Sequence, residues 1–109
     1  MSEVKSVTPK EVYQLFQDGH KPRIIDVRTD EEFKEARAAC VTDHMPLHNF
    51  DPESLGENRD SKLYFICRSG KRSFDAASQC IPYGFNELYN IEGGTIEWAA
   101  CQLPLEQGE

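Results

Sequence analysis

The amino-acid sequence predicts an α/β domain in which a mainly parallel sheet carries helices on both faces. Two observations point there. Apolar runs such as Ile24-Ile25 and Leu63-Tyr64-Phe65-Ile66 lack polar alternation, as strands covered on both faces do. Between them stand segments with helix-start signals and apolar residues spaced three and four apart, joined by short polar connections.

Taken in order, residues 3–7 alternate and read as an edge strand. Thr8-Pro9-Lys10-Glu11 then joins an N-cap, a proline at the first helical position and a glutamate three residues past the cap. The helix it starts runs through Val12, Leu15 and Phe16, and Gly19 supplies the left-handed residue that ends it. Residues 23–27 form a strand covered on both faces, in which the Asp26 carboxylate requires a partner; Arg28 is the nearby candidate. Thr29-Asp30-Glu31-Glu32 is a second capping box, opening a short helix with Phe33 inward. Asp51-Pro52-Glu53 opens a helical turn leading through Leu55, and a polar loop follows before the strand of residues 62–66. The helix over residues 73–81 is expected to face inward with Phe74, Ala77 and Ile81, the face being extended by Ala76 and Cys80; Pro82 and Gly84 end it. Residues 87–91 form a further strand. Gly93-Gly94 then turns into a last helix with Ile96 and with Trp98 as a core anchor whose indole N–H needs a partner. Cys101 falls near the end of that helix and is not assigned to the core.

The composition narrows the function classes. A chain of 109 residues with 39% hydrophobic content suits one domain over 1–109 with a packed core. Its net charge of −7 argues against nucleic acid or an anionic membrane as a general partner, since both reward a basic face. No apolar run approaches the ~20 residues needed to span a membrane, and Met1-Ser2-Glu3-Val4-Lys5 lacks the apolar core of a leader peptide. A cytoplasmic location follows as the expectation. With no leader and no dense cysteine spacing, Cys40, Cys67, Cys80 and Cys101 are expected as reduced thiols.

The chemistry concentrates after the strand of residues 62–66, where Cys67 is followed by Arg68, Ser69, Gly70, Lys71, Arg72 and Ser73. A strand–loop–helix turn aims backbone N–H groups and the positive end of a helix dipole at the loop's mouth. Both these and cations favour thiolate over thiol, so Cys67 is expected to be acidic and nucleophilic. Three of the twelve basic residues lie within six positions of it, a local positive spot on an acidic chain.

The loop Cys67-Arg68-Ser69-Gly70-Lys71-Arg72-Ser73 resembles the active-site loop of the rhodanese, or single-domain sulfurtransferase, family. So do Asp26-Val27-Arg28 with Glu32-Phe33, Gly84-Phe85, and Gly93-Gly94 followed by Trp98, in the family's order. The resemblance implies a rhodanese-like fold with a five-stranded sheet. It implies sulfur transfer through a Cys67 persulfide from thiosulfate or another small anionic sulfur donor to cyanide, a thiol or a partner protein. It also implies that Asp26 and Arg28 brace the loop. The chain departs from the family at Ala36-Arg37-Ala38-Ala39-Cys40-Val41, where two glycines are usual. Pro46 recovers the register.

Two other functions are open. A phosphatase or arsenate reductase of the related fold is built on Cys-x5-Arg, whereas the arginine here, Arg72, makes Cys-x4-Arg and a tighter ring. A binding module without chemistry is the other, although such domains typically lose the cysteine. Cys40, His44 and His48 recur at the four-residue interval that aligns metal ligands on a helix, but Pro46 interrupts any helix there. These histidines are read as solvated loop residues, His20 as a surface residue, and neither metal nor cofactor is expected.

Overall fold

The apolar run Lys62–Ile66 forms the middle strand of a five-stranded sheet, and the rest of the chain is built outward from it. The computed structural model describes residues 3–108; the leader reading touches Met1 and Ser2, which lie outside them, as does Glu109. Four elements precede the first irregular stretch: β1 (Val4–Val7), α1 (Pro9–Gln17), β2 (Arg23–Asp26) and α2 (Asp30–Glu35). Then come β3 (Arg37–Ala38), β4 (Asp43–His44), two 3-10 turns (Leu47–Asn49 and Pro52–Leu55) and β5 (Lys62–Ile66). The chain closes with α3 (Lys71–Gln79), a 3-10 turn (Ile81–Tyr83), β6 (Glu87–Ile91), α4 (Gly94–Ala100) and β7 (Leu105–Glu106).

The main sheet runs β1-β6-β5-β2-β4, and every pair in it is parallel. Parallel neighbours need crossovers, and the capping boxes predicted at Thr8 and Thr29 start two of the crossover helices as expected. Alternate residues of β2 and β5 feed two cores. Ile25, Leu63 and Phe65 pack with Ala76, Ala77 and Cys80 of α3 on one face, while Ile24, Tyr64 and Ile66 pack with Val12 of α1 and Trp98 of α4 on the other. Each fully buried large apolar side chain contributes about 1.5–3 kcal/mol, so both helix layers are held by their contact with the sheet. Trp98 has no exposed surface, and its indole N–H donates to the Pro104 carbonyl at 2.8 Å.

Three expectations are corrected. Phe74 is 51% exposed. The helix starts two residues earlier than expected, at Lys71 after a left-handed Gly70 (φ +102), and its inner face is Ser73, Ala76, Ala77 and Cys80. Ala76, Ala77 and Cys80 face inward as expected, and these small residues let α3 approach the sheet closely, with Ser73 also buried on that face. His44 is no solvated loop residue: it lies in β4, its ring stacked 4.1 Å from Phe33, with Nε2–H donating to the Arg28 carbonyl at 2.9 Å.

Residues 36–41, where glycines are usual, contain β3, which pairs antiparallel with β7 in a small second sheet absent from the expectations. Among the described residues only Lys21 and Gln102 combine a side chain with positive φ. The backbone at 36–41 therefore makes no demand for glycine, and the side chains it carries instead are used: Ala38 and Cys40 pack into the Trp98 core.

Candidate active site

Cys67 lies just past the carboxyl end of β5, the central strand, where parallel sheets present their binding crevice. Its sulfur accepts from the Gly70 N–H at 3.1 Å and from the Ser73 hydroxyl at 3.3 Å. Gly70 makes the turn possible: its positive φ caps α3 and turns the chain back over the sulfur. The loop is fastened from β6 by Asn90, buried at 7% exposure, which donates through Nδ2 to the Gly70 carbonyl at 3.0 Å and accepts from the Ser73 hydroxyl through Oδ1. Ser73 has one proton for two acceptors. It can rest on Asn90 while the sulfur is a thiol and turn to the sulfur when that becomes a thiolate.

The loop's own carbonyls are tied to α4. The Thr95 N–H donates to the Cys67 carbonyl at 2.8 Å and the Ile96 N–H to that of Arg68 at 3.1 Å, satisfying free donors in the first turn of α4. Contact this close excludes a side chain at Gly94, whose Cβ would meet the Cys67 carbonyl oxygen at 2.2 Å. The Gly93-Gly94 pair is thereby explained as backbone approach to the cysteine loop.

Burial pushes the Cys67 thiol up, but the Ser73 hydroxyl and the N–H groups of Ser73, Gly70 and Ser69 outweigh it, and the net result is a lowered pKa. The acidity expected from the sequence comes from the loop N–H groups, as expected, joined by the Ser73 hydroxyl; Arg68 and Lys71, expected to add to it, are both exposed. The other cysteines go the opposite way. Burial raises Cys40 to about 11 and Cys80 to about 12, and Cys101 is raised by desolvation and by the neighbouring Glu97 carboxylate. All four are free thiols.

The third cation is committed elsewhere. Arg72 forms a two-point ion pair with Glu32 of α2, Nη1 to Oε1 at 2.7 Å and Nη2 to Oε2 at 2.9 Å. This guanidinium holds Glu32 down at about 2. Asp26 is fully buried and pairs with Arg28 at 2.7–3.0 Å, and Arg28 Nη2 donates to the Ala36 carbonyl. That pair fixes the path from β2 around α2 and makes no hydrogen bond to the Cys67 loop. Sequence reasoning missed two members of the cluster, Asn90 and the role of Glu32. Asn90 had a signal, a lone amide near the carboxyl end of an apolar strand; Glu32 stands in the sequence as a capping residue and in the Glu32-Phe33 resemblance, with no local sign of its pairing to Arg72.

A groove of about 320 Å³ adjoins the loop, lined by Arg68, Arg28, Glu32, Thr95, Ile96 and neighbouring residues. Among the described residues no cluster of His, Cys, Asp and Glu suits a metal ion, and no helix is long and apolar enough to cross a membrane. Cys40 sits in the Trp98 core and His48 on an exposed turn, so the Cys40-His44-His48 spacing does not converge.

A family model described as a rhodanese-like domain matches residues 8–101. The chain belongs to the rhodanese-like domain family. It is 26% identical over 102 residues to a sulfurtransferase of Allochromatium vinosum, covering 94% of each chain. It is 31% identical over 111 residues to the chloroplastic thiosulfate sulfurtransferase 16 of Arabidopsis thaliana, covering 91% of this chain and 90% of that one. A rhodanese-like domain protein of Staphylococcus aureus superposes with a TM-score of 0.76 at 26% identity, covering 87% of this chain and 91% of the other. Such relatives support a sulfurtransferase family for this rhodanese-like domain, and the superposition shows that it shares the fold of a rhodanese-like domain protein.

Proposed function

We propose that this rhodanese-like domain is a sulfurtransferase that carries sulfane sulfur as a persulfide on Cys67. One observation carries the reading: of four cysteines, only Cys67 has a lowered thiol pKa, because neutral donors converge on its sulfur. The thiolate attacks the outer sulfur of the donor, a new S–S bond forms to Sγ, and the donor's S–S bond breaks with its electron pair leaving on the inner sulfur. With thiosulfate the leaving group is sulfite, and Cys67 holds a perthiolate of the same single charge as the thiolate before it. A cyanide, thiol or partner-protein thiol then attacks the outer sulfur and returns Cys67 as thiolate. The donors around Sγ are fixed by α3, α4 and Asn90, so holding the anion requires little reorganisation. Arg68 and Lys71 draw anions from solution, while Asp26 and Arg28 brace the loop indirectly by setting the α2 position from which Glu32 reaches Arg72.

A phosphatase reading is less favoured, since the four-residue span between Cys67 and Arg72 makes a small ring and Arg72 is paired with Glu32. The experiment is an intact mass spectrum after treating the reduced protein with thiosulfate. The expected result is a gain of one sulfur atom that cyanide or a thiol removes, no gain in Cys67→Ser, and background hydrolysis of aryl phosphates. A persistent adduct in Cys67→Ser would move the chemistry to another cysteine. Aryl phosphate turnover with no sulfur adduct would overturn the reading.

A further inference from the structure

We infer that Glu32 decides which charge of donor the site accepts, by cancelling Arg72 so that a singly charged sulfane donor is taken in preference to doubly charged thiosulfate. The inference rests on the sulfurtransferase reading above and deepens it.

The donors around the Cys67 sulfur are formally neutral: the Ser73 hydroxyl and the N–H groups of Gly70, Ser73 and Ser69. Such a cradle suits one negative charge, that of the thiolate or of the perthiolate that replaces it. A second charge on the incoming donor needs a fixed cation, and Arg72, part-buried at the start of α3, is the loop cation whose guanidinium is held in place. Glu32 takes it up in two short parallel hydrogen bonds. The carboxylate is itself held: its Oε1 also accepts from the Thr29 N–H at 3.1 Å and the Thr29 hydroxyl at 3.2 Å, as part of the α2 capping box. Arg72 therefore cannot turn to a donor without leaving Glu32 as an uncompensated carboxylate beside the same loop. Arg68 and Lys71 are exposed, on flexible side chains, and their charge is screened by solvent and salt. The chain's net charge of −7 repels a dianion more than a monoanion.

The test compares two donors that share the scissile S–S bond. Thiosulfate carries two charges; methanethiosulfonate replaces one oxyanion with a methyl group and carries one, leaving as sulfinate. In Glu32→Gln the glutamine keeps the capping interaction with Thr29, so the start of α2 is retained, while Arg72 is freed. The expected outcome is that kcat/KM for thiosulfate rises about tenfold relative to methanethiosulfonate at low ionic strength, mostly through KM, and that added salt erases the gain. In Arg72→Gln the bare Glu32 carboxylate should cost thiosulfate more than methanethiosulfonate, and this variant decides the matter where Glu32→Gln fails to fold. An unchanged donor ratio in both variants, or equal losses for both donors, would overturn the inference and make Glu32 a brace. If neither donor places sulfur on Cys67 of the unmodified protein, the sulfurtransferase reading itself has failed; if both do and the ratio stays fixed, only the inference has.

Discussion

Burial does not distinguish Cys67 from the other core cysteines. Cys67, Cys80 and Cys40 are 1%, 0% and 5% exposed. What differs is the direction of hydrogen bonding: the Cys80 thiol donates to the Ala76 carbonyl, which favours the neutral form, whereas the Cys67 sulfur accepts. Ser73 is the donor with the most to lose. In Ser73→Ala the thiol pKa should move back up, and alkylation near neutral pH should slow about tenfold, since a hydrogen bond to a charged group contributes roughly 1.5–3 kcal/mol. The pH profile of iodoacetamide reaction measures this, and an unmoved inflection would mean the backbone N–H groups suffice.

Among the elements, α3 and α4 make the site because both begin at the loop. Helix α3 turns on Gly70, and α4 takes the Cys67 and Arg68 carbonyls into its first turn. Gly94→Ala should therefore destabilise the fold by about 2 kcal/mol or more and slow persulfide formation, because positive φ (+55) and a clash with backbone coincide there. Gly84→Ala is the control. Its φ is +90 with nothing within 4 Å of the added Cβ, so it carries the conformational cost of about 1 kcal/mol alone and leaves sulfur loading intact. Urea midpoints and thiosulfate loading of both variants separate the two effects, and equal behaviour would show that the α4 approach is not what shapes the loop.

For the molecule as a whole, the Glu32–Arg72 pair ties α2 to α3 across the mouth of the sheet and makes stability depend on pH. Glu32 falls from its usual 4.5 to about 2 on folding, mainly through its bonds to Arg72. A carboxylate lowered in this way contributes stability that is fully present above pH 4.5 and is lost as pH falls toward 2. Arg23 with Thr42 acts in the same sense on Asp43, against the burial that alone would raise it. The pair is about one-third exposed, so solvent screening limits it to less than about 1 kcal/mol. Glu32→Gln should be slightly less stable than the unmodified protein at pH 6, with the difference shrinking below pH 4.5 and mostly gone near pH 2. A difference that persists unchanged at that pH would assign the loss to packing rather than charge.

The features legible in the sequence are those whose physics is local. Both capping boxes join residues three apart, the strand of residues 62–66 is a continuous apolar run, and Cys67 meets Gly70 and Ser73 within its own loop. A chain carries such interactions in the order of its residues, so strand–helix alternation, the parallel sheet and the cysteine loop could be read before any contact was known. Only the tertiary structure brought Asn90 onto the loop across 17 and 20 residues, Glu32 onto Arg72 across 40, and the C-terminal residues onto Arg37 across 71. These partners are chosen by strand order and by how closely α3 and α4 approach the sheet, which depend on the whole packed core. The sequence by itself thus determined that Cys67 would stand in a loop leading into a helix start, within reach of that loop's N–H groups. The tertiary structure decided what fastens that loop from β6 and α4 and which of its three cations is already spoken for.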